Sequence, residues 1–114
     1  RESPMIAPIE TPPRLRVGQL VKHRRYGYRG VVVEYDPFCK APEHWYQANQ
    51  TQPDKNQPWY HVLVHGAAAS TYAAESNLDD DACRDPIDHP LLTEYYDKFF
   101  DGVYVRNDRQ FTGW

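Results

Sequence analysis

The chain has 114 residues, of which 40% are hydrophobic and 14% aromatic, and its formal net charge is −3 at pH 7. A chain of this length normally forms one domain with a modest core, and its large apolar side chains allow folding without metal or disulfide staples. No apolar run reaches the roughly 20 residues that span a bilayer, and no signal-peptide pattern opens the sequence. The negative charge argues against DNA as the main partner, because nucleic-acid binders usually carry a basic excess.

The two cysteines, Cys39 and Cys83, are too few for a disulfide scaffold and lack C-x-x-C spacing. They are therefore read as reduced thiols. This predicts a cytoplasmic protein, or one from another reducing intracellular compartment, with no membrane segment.

The first 16 residues include Pro4, Pro8, Pro12 and Pro13 and have no apolar period. Proline disfavours helix at its own position and at the residue before it, so residues 1–16 are predicted to form an extended leader. This leader either trails free or lies along the body. Because Arg1 is not a natural start residue, we expect a fragment or a trimmed form of a longer protein.

Two predicted strands follow the leader. Residues 20–24 and 30–36 are predicted strands joined by a turn at 26–28, with Val31, Val33 and Tyr35 on one face of the second. Gly27 and Gly30 are expected to adopt positive φ or to permit close backbone approach. Pro37 ends the second strand.

Residues 38–57 are rich in Pro, Asn and Gln and are predicted to form a long polar loop, of a length that is often functional. Trp45 and Tyr46 lie in its middle. Such aromatic residues either hold the loop against the body or remain available to a partner, and we hypothesise the second.

The third predicted strand spans residues 59–65 and a short fourth strand spans 70–73. The Asp run at 79–81 is interpreted as an acidic, solvated turn that follows the last strand. Beyond it, Leu91, Leu92, Tyr95, Tyr96 and Phe99 recur at helical spacing, which predicts an amphipathic helix over residues 90–100 with Gly102 as its stop. Its aromatic face is expected to pack on the strands, and a docking helix is the alternative.

No catalytic or metal-binding signature is present. His61 and His65 lie four apart on a predicted strand, where the two positions are about 13 Å apart, so they do not predict zinc. The chain lacks a nucleophile elbow, a phosphate-binding glycine loop and spaced calcium ligands. We therefore predict a non-enzyme without a cofactor or metal.

A basic, aromatic segment around the first turn is the best candidate for contact with nucleic acid or an acidic protein surface, since Arg pairs with phosphate or carboxylate and Tyr rings stack. Some of its residues could instead only support the turn. Together with the loop aromatics, the predicted binding residues are Lys22, His23, Arg24, Arg25, Tyr26, Tyr28, Arg29, Trp45 and Tyr46.

The abundance of aromatic residues supports a further alternative, a peptide-binding barrel with a pocket for a methylated or proline-rich ligand. The residues assigned to that pocket are Tyr26, Tyr28, Trp45, Trp59 and Tyr60. The competing interpretation is that Trp59 and Tyr60 fill the small core.

Four blocks occur in order along the chain: V-G-Q-x-V-x-H from Val17, Y-G-Y-x-G-V-V from Tyr26, P-W-Y-H-V from Pro58 and Y-x-A-E-x-N-L from Tyr72. In this series the chain resembles the YccV/HspQ family of hemimethylated-DNA-binding-like domains and heat-shock proteins. The tail, with His89-Pro90 and a later F-x-G, resembles the F-box-linked eukaryotic members, and bacterial HspQ proteins differ there.

The resemblance implies a mainly β fold, a small, partly open SH3-like β-barrel with a C-terminal helix. The expected organisation is an extended leader (1–16), the barrel (17–80) and a helix and tail packed on it (81–114). It also implies a quality-control adaptor linking substrates to an ATP-dependent protease or ubiquitin ligase. The alternative partner is hemimethylated DNA, and family members that self-associate leave the oligomeric state open.

Overall fold

The protein was analysed as a computed structural model that describes residues 12–113. In this part of the chain the strands are β1 (Leu20–His23), β2 (Arg29–Asp36), β3 (Trp59–Val64), β4 (Ser70–Ala74), β5 (Leu78–Asp80), β6 (Tyr96–Phe100) and β7 (Val103–Arg106). The helices are α1 (Glu43–Ala48) and α2 (Leu92–Tyr95), and a single 3-10 turn, Glu75–Asn77, joins β4 to β5.

The first five strands form one antiparallel sheet in the order β4-β3-β2-β1-β5, and β6 pairs with β7 in a separate hairpin. The two edges of the large sheet, β4 and β5, are joined by the 3-10 turn. A flat five-stranded sheet would separate these edges by roughly 19 Å, whereas four Cα steps reach about 14 Å. The sheet must therefore curl, without closing into a barrel, and the predicted mainly β, partly open architecture is confirmed.

Four of the predicted strands are confirmed nearly residue for residue, because each is a short β-branched or aromatic run between turn residues. Strand β2 deviates in one respect. Its register with β3 shifts between Val32 and Glu34, so Val33 is the extra residue of a β-bulge. Val31 and Val33 pack in one core cluster, but Tyr35 packs with Val32 in another. The prediction that Tyr35 shares a face with Val31 and Val33 is wrong, since the bulge reverses the alternation.

The two turn glycines behave as predicted. Gly27 has φ +73 and lies in open space. Gly30 faces β3 so closely that an added Cβ would lie 2.5 Å from the Leu63 carbonyl oxygen and 2.5 Å from the Val62 Cγ1.

The predicted acidic turn is wrong, because Leu78–Asp80 form strand β5, which pairs with β1. Each of the three carboxylates binds an arginine: Asp79 binds Arg24, Asp80 binds Arg84, and Asp81 binds Arg29. These partners come from the turn after β1, from β2 and from the segment after β5, and local sequence does not reveal them.

The interval predicted to be a loop, residues 38–57, contains the short helix α1. Trp45 and Tyr46 lie on this helix, half-buried, and pack with Cys39 and Ala41 against a cluster that contains Trp59. The helix lacks a buried residue of its own, so contact with this cluster holds the segment in place.

The predicted helix over residues 90–100 is confirmed only at Leu92–Tyr95, because Pro90 and Leu91 form a turn and Tyr96–Phe100 is strand β6 of the hairpin. Asp101 and Gly102 both have positive φ (+53 and +78), as a two-residue hairpin turn requires. The helical spacing of the aromatic residues arises instead from a short helix followed by a strand with a register shift between Tyr96 and Lys98, so that Tyr96 is buried and Phe99, three residues later, is partly buried.

The hairpin and the sheet share one core cluster formed by Leu20, Val31, Val33, Leu63, Ile87, Tyr95, Tyr96 and Tyr104. Backbone carbonyls at the bulge of β2 also accept hydrogen bonds from the hairpin. The Tyr96 hydroxyl donates to the Val32 carbonyl at 2.7 Å, and Arg106 Nε donates to the Val33 carbonyl at 2.9 Å. The tail is therefore joined to the sheet by both packing and hydrogen bonds.

The predicted leader falls mostly at residues 1–11, which lie outside the described residues. At the end of the leader, Arg14 donates a hydrogen bond to the Leu78 carbonyl at 2.6 Å. Leu15 is buried in the second core cluster, which also contains Val21, Val32, Tyr60, Val62, Ala73 and Leu78. Among residues 12–113, the helices are all too short or too polar to cross a membrane.

Candidate binding site: an aromatic groove

A groove with a volume of about 330 Å³ lies between the β1–β2 turn, the α1 segment and strands β3 and β4. Its lining residues are His23, Tyr26, Tyr28, Trp45, Asn49, Thr51, Pro53, Trp59, Ser70, Thr71, Tyr72, Ala73, Ala74 and Asn77. Among the residues that the structure describes, the lining contains six aromatic rings, counting histidine, and no carboxylate.

Packing between elements holds the groove walls in place. The Trp45 ring lies edge-on to Trp59 and Tyr72, with centroids 6.3 and 5.7 Å away. On the opposite wall, the Tyr26 hydroxyl donates to Gln50 Oε1 at 3.3 Å, which joins the β1–β2 turn to the segment after α1. Tyr26 is nevertheless 54% exposed, so its ring remains accessible at the groove mouth.

The polar side-chain atoms of four wall residues form hydrogen bonds within the protein. Trp59 Nε1 donates to the Asp54 carbonyl at 3.3 Å. The Tyr72 hydroxyl donates to Asp36 at 2.7 Å, and burial together with this bond raises the Tyr72 pKa. The Tyr28 and Thr71 hydroxyls bond each other at 2.7 Å. These residues therefore offer a ligand mainly the surfaces of aromatic rings.

His23 organises the turn beside the groove. Its Nδ1 accepts the backbone N–H groups of Arg25 and Tyr26, both at 3.1 Å, and its ring stacks on Tyr26 and Tyr28. Burial, and secondarily the positive charge of Arg25, lowers the His23 pKa. A proton on Nδ1 would remove the acceptor for both bonds, so the folded protein favours the neutral ring.

This geometry predicts a pH dependence of stability. The unfolded chain takes up a proton at His23 near the ordinary pKa of 6.5, and the folded chain resists it. The free energy of unfolding should therefore fall as the pH is lowered from about 7.5 to about 5.5, as urea denaturation would measure.

The matched variant is His23→Asn, because an asparagine Oδ1 can accept the same backbone N–H groups without titrating in this range. Its stability should depend less on pH than that of the parent. Equal pH slopes for the two proteins would contradict the assignment of this effect to His23.

The structure divides the predicted basic segment into two groups. Arg24 Nη2 lies 2.7 Å from Asp79 Oδ1, and this bond raises the Arg24 pKa and lowers that of Asp79. Arg29 Nε lies 2.5 Å from Asp81 Oδ2, in a pair whose side chains are only 20% and 7% exposed. These two arginines have internal partners, so little of their charge is left for an external ligand.

The second group comprises Lys22 and Arg25, both exposed. Within residues 12–113 neither has an ion pair at salt-bridge distance, although Lys22 lies opposite Asp79 in the β1–β5 register. The Arg25 guanidinium lies 5.8 Å from the centroid of the Tyr26 ring, but Arg25 lines a neighbouring pocket, with Lys22 and the three aspartates 79–81, rather than the groove. Lys22 and Arg25 are therefore the cations of the predicted basic segment that have no ion pair among the described residues.

Among the predicted loop aromatics, Trp45 lines the groove. Tyr46 lies outside the lining: its hydroxyl donates to the carbonyls of Gln52 and Pro53, and Lys55 lies over its ring. These contacts fold the α1 segment back on itself.

The alternative aromatic pocket corresponds closely to the groove, since Tyr26, Tyr28, Trp45 and Trp59 all line it. Tyr60 does not, because it is buried in the second core cluster and its hydroxyl donates to Glu75 at 2.6 Å. Sequence reasoning missed Tyr72, although the Y-x-A-E-x-N-L block contains it. Its place in the wall depends on its pairing with His61 across β3 and β4.

Among residues 12–113, no group of three or more His, Cys, Asp or Glu side chains is placed to hold a metal ion. Cys39 is half-buried beside Trp59 and its neighbours, and Cys83 is exposed. The chemistry that this site offers is recognition through ring faces, hydroxyls and a nearby guanidinium.

Comparison with known proteins gives two findings. A family model described as "Hemimethylated DNA-binding protein YccV like" matches residues 13–103. F-box only protein 21 from Homo sapiens, Pongo abelii and Mus musculus is 32% identical over 94 residues, which cover 80% of this chain and 15% of the relative. The chain thus corresponds to about one seventh of those proteins' length. Because the family model matches most of its length, the chain belongs to the YccV-like family.

Proposed function

We propose that this chain is a non-catalytic binding module that recognises protein targets in its aromatic groove and presents them to a ubiquitin ligase. The observation that carries the proposal is the groove itself, whose aromatic walls are held in place and whose tryptophan and tyrosine rings suit protein recognition. Similarity to F-box only protein 21 supports the link to a ligase.

An adaptor of an ATP-dependent protease would use the same groove, and the F-box relatives favour the ligase over that role. Free Cys39 and Cys83 thiols suit a reducing intracellular compartment, where such a ligase would work.

Binding to hemimethylated DNA is the second candidate, because the matched family carries that description. The charges of this chain disfavour it. The net charge is −3, and Arg24, Arg29 and Arg84 are each bound to an aspartate rather than available to phosphates.

A capture experiment in cells tests the proposal with the Tyr26→Ala variant. Tyr26 is exposed and lines the groove, so its truncation should reduce the recovery of bound proteins by at least about tenfold while the fold remains stable. The matched control is Phe100→Ala, an exposed aromatic residue on the β6–β7 hairpin that does not line the groove. The target proteins are those captured by Phe100→Ala but not by Tyr26→Ala. In cells carrying Tyr26→Ala, these proteins should be ubiquitylated less and persist longer than in cells carrying the parent chain.

The DNA alternative is measured in parallel by fluorescence anisotropy on hemimethylated, fully methylated and unmethylated duplexes. Tight, methylation-dependent binding at physiological salt, with protein capture insensitive to Tyr26→Ala, would replace the ligase proposal with the DNA function.

A further inference from the structure

Residues 39–55 form a loop that is closed on itself beside the groove. The Cys39 backbone N–H donates to the Lys55 carbonyl at 2.9 Å, which joins the two ends of the loop. Within the loop, the Tyr46 hydroxyl donates to the Gln52 carbonyl at 3.0 Å, and the Lys55 ammonium lies 4.4 Å from the centroid of the Tyr46 ring. Surface loops whose ends are adjacent and whose own side chains pack inside them are compact units and are frequently functional.

The loop is attached to the rest of the protein mainly through side chains. None of residues 39–55 is buried, and among the described residues no backbone–backbone hydrogen bond joins the loop to the sheet. The loop meets the body through ring contacts at the Trp59 cluster and through hydrogen bonds that each involve a side chain. The Lys40 backbone N–H donates to the Tyr72 hydroxyl at 3.1 Å, and Trp59 Nε1 donates to the Asp54 carbonyl at 3.3 Å. A segment without buried residues opens at a smaller free-energy cost than the core strands.

The same loop supplies one wall of the groove. Trp45, Asn49, Thr51 and Pro53 line the groove from this side, and the other lining residues belong to the body. The volume of about 330 Å³ is at the lower end of the range for ligand pockets, so a segment of a target protein needs a wider groove. Outward movement of the loop would widen the groove without disturbing the sheet.

A hydrogen bond between Tyr26 and Gln50 connects the loop to the opposite wall. The Tyr26 hydroxyl donates to Gln50 Oε1 at 3.3 Å, which is long for a bond between two oxygen atoms. The Tyr26 ring stacks on His23, so the partner on the body is held in position. Because Tyr26 is 54% exposed, water competes for both ends of the bond, and the bond is readily broken.

We propose that residues 39–55 form a lid over the aromatic groove, which opens as one unit about the Cys39–Lys55 neck and which the Tyr26–Gln50 bond holds closed. The closed lid covers the groove, and the open lid admits a segment of the target protein. The admission of targets rests on the proposed function, whereas the opening of the lid is a property of this chain and is measured without a target.

The Trp59 indole N–H reports the position of the lid. It donates to the Asp54 carbonyl, which belongs to the lid, whereas Trp59 itself belongs to β3 and is 2% exposed. Movement of the lid as a unit breaks this bond and leaves the backbone hydrogen bonds between β2 and β3 intact. Hydrogen exchange of the isotope-labelled whole chain, followed by NMR, measures the indole and the β2–β3 ladder in one sample.

The Trp59 indole N–H should exchange faster than the backbone N–H groups of the β2–β3 ladder. Its rate should stay constant up to about 1 M urea, because opening of the lid exposes little surface. Tyr26→Phe deletes the hydroxyl and keeps the ring, so exchange of the indole should rise at least about twofold. Gln50→Ala should have the same effect, and the double variant should exchange no faster than either single variant.

Tyr28→Phe is the matched control, because it deletes the same chemical group from the same groove. The Tyr28 and Thr71 hydroxyls bond each other at 2.7 Å, and both residues belong to the body. This bond persists when the lid opens and is lost only on global unfolding. Tyr28→Phe should therefore raise exchange in the β2–β3 ladder and leave exchange of the Trp59 indole unchanged.

Several outcomes would overturn the inference. One is exchange of the Trp59 indole at the rate and with the urea dependence of the ladder, because the loop would then open only on global unfolding. Others are an indole without protection, or equal effects of Tyr26→Phe and Tyr28→Phe on its exchange. If the lid opens as expected but capture of target proteins is insensitive to Tyr26→Ala, the proposed function fails and the lid stands. If capture depends on Tyr26 while the lid does not open, only this inference fails.

Discussion

Replacement of Gly30 by valine should lower the free energy of unfolding by about 3 kcal/mol or more, a large share of the total for a domain of this size. A Cβ at this position would lie 2.5 Å from the backbone oxygen of Leu63 and 2.5 Å from Val62 Cγ1. Gly30 is fully surrounded in the β2–β3 ladder, so the clash can be relieved only by separating the two central strands. Urea denaturation measures the loss.

Gly27→Ala provides the control, because Gly27 lies in the neighbouring turn with nothing within 4 Å of the added Cβ. Its φ of +73 still makes alanine unfavourable, at a cost of about 1 kcal/mol. Equal losses of stability for the two variants would contradict a close contact between Gly30 and β3, because Gly30 lacks the positive φ of Gly27.

Strands β1 to β4 of the large sheet could be predicted from sequence because the information that specifies them is local, whereas β5 was interpreted as a turn. The longer ones, β2 and β3, are runs of β-branched or aromatic residues near glycine and proline, and β propensity together with turn chemistry locates their ends. The bulge at Val33 could not be predicted in this way. It depends on the pairing of β2 with β3 and on donors from the tail, such as Arg106.

The hairpin of β6 and β7 was missed although its signal is present in the sequence. Asp-Gly between apolar runs is a strong hairpin indicator, and here Asp101-Gly102 joins Phe99-Phe100 to Val103-Tyr104. The helical spacing of Leu91 to Phe99 led to Gly102 being interpreted as a helix stop. The periods of helix and strand are confused in this segment because its apolar residues occur as adjacent pairs four positions apart, Leu91-Leu92, Tyr95-Tyr96 and Phe99-Phe100.

The candidate site was predicted in part. Aromatic residues from three separate segments were correctly assigned to one pocket, with Tyr60 as the exception. The charges were harder to interpret, since the Asp run and the basic segment are more than fifty positions apart in the sequence and form ion pairs only because β5 lies beside β1. A basic cluster in sequence therefore overstated the positive charge available on the surface.

Asp81→Asn should lower the free energy of unfolding by about 3 kcal/mol, since loss of one partner leaves a buried charge uncompensated. Asp81 is 5% exposed and holds Arg29 Nε at 2.5 Å, and the same guanidinium donates to the Asp85 carbonyl at 2.8 Å. Asp81 Oδ1 also accepts the backbone N–H of Cys83 at 3.1 Å. The Asp81–Arg29 pair thus links β2 to the segment that follows β5. Urea denaturation at neutral pH measures the stability that is lost when the pair is broken.

Asp79→Asn is the matched control, because the Asp79–Arg24 pair has nearly ideal geometry but side chains that are 50% and 53% exposed. Solvent screens an exposed pair, so this variant should unfold at nearly the parental urea concentration. A double variant, Asp81→Leu with Arg29→Met, should recover much of the loss caused by Asp81→Asn, because apolar replacement of a buried pair is often tolerated. Equal effects of Asp79→Asn and Asp81→Asn would show that Arg29 is solvated in solution, and its charge would then be available to a ligand, as the sequence alone had suggested.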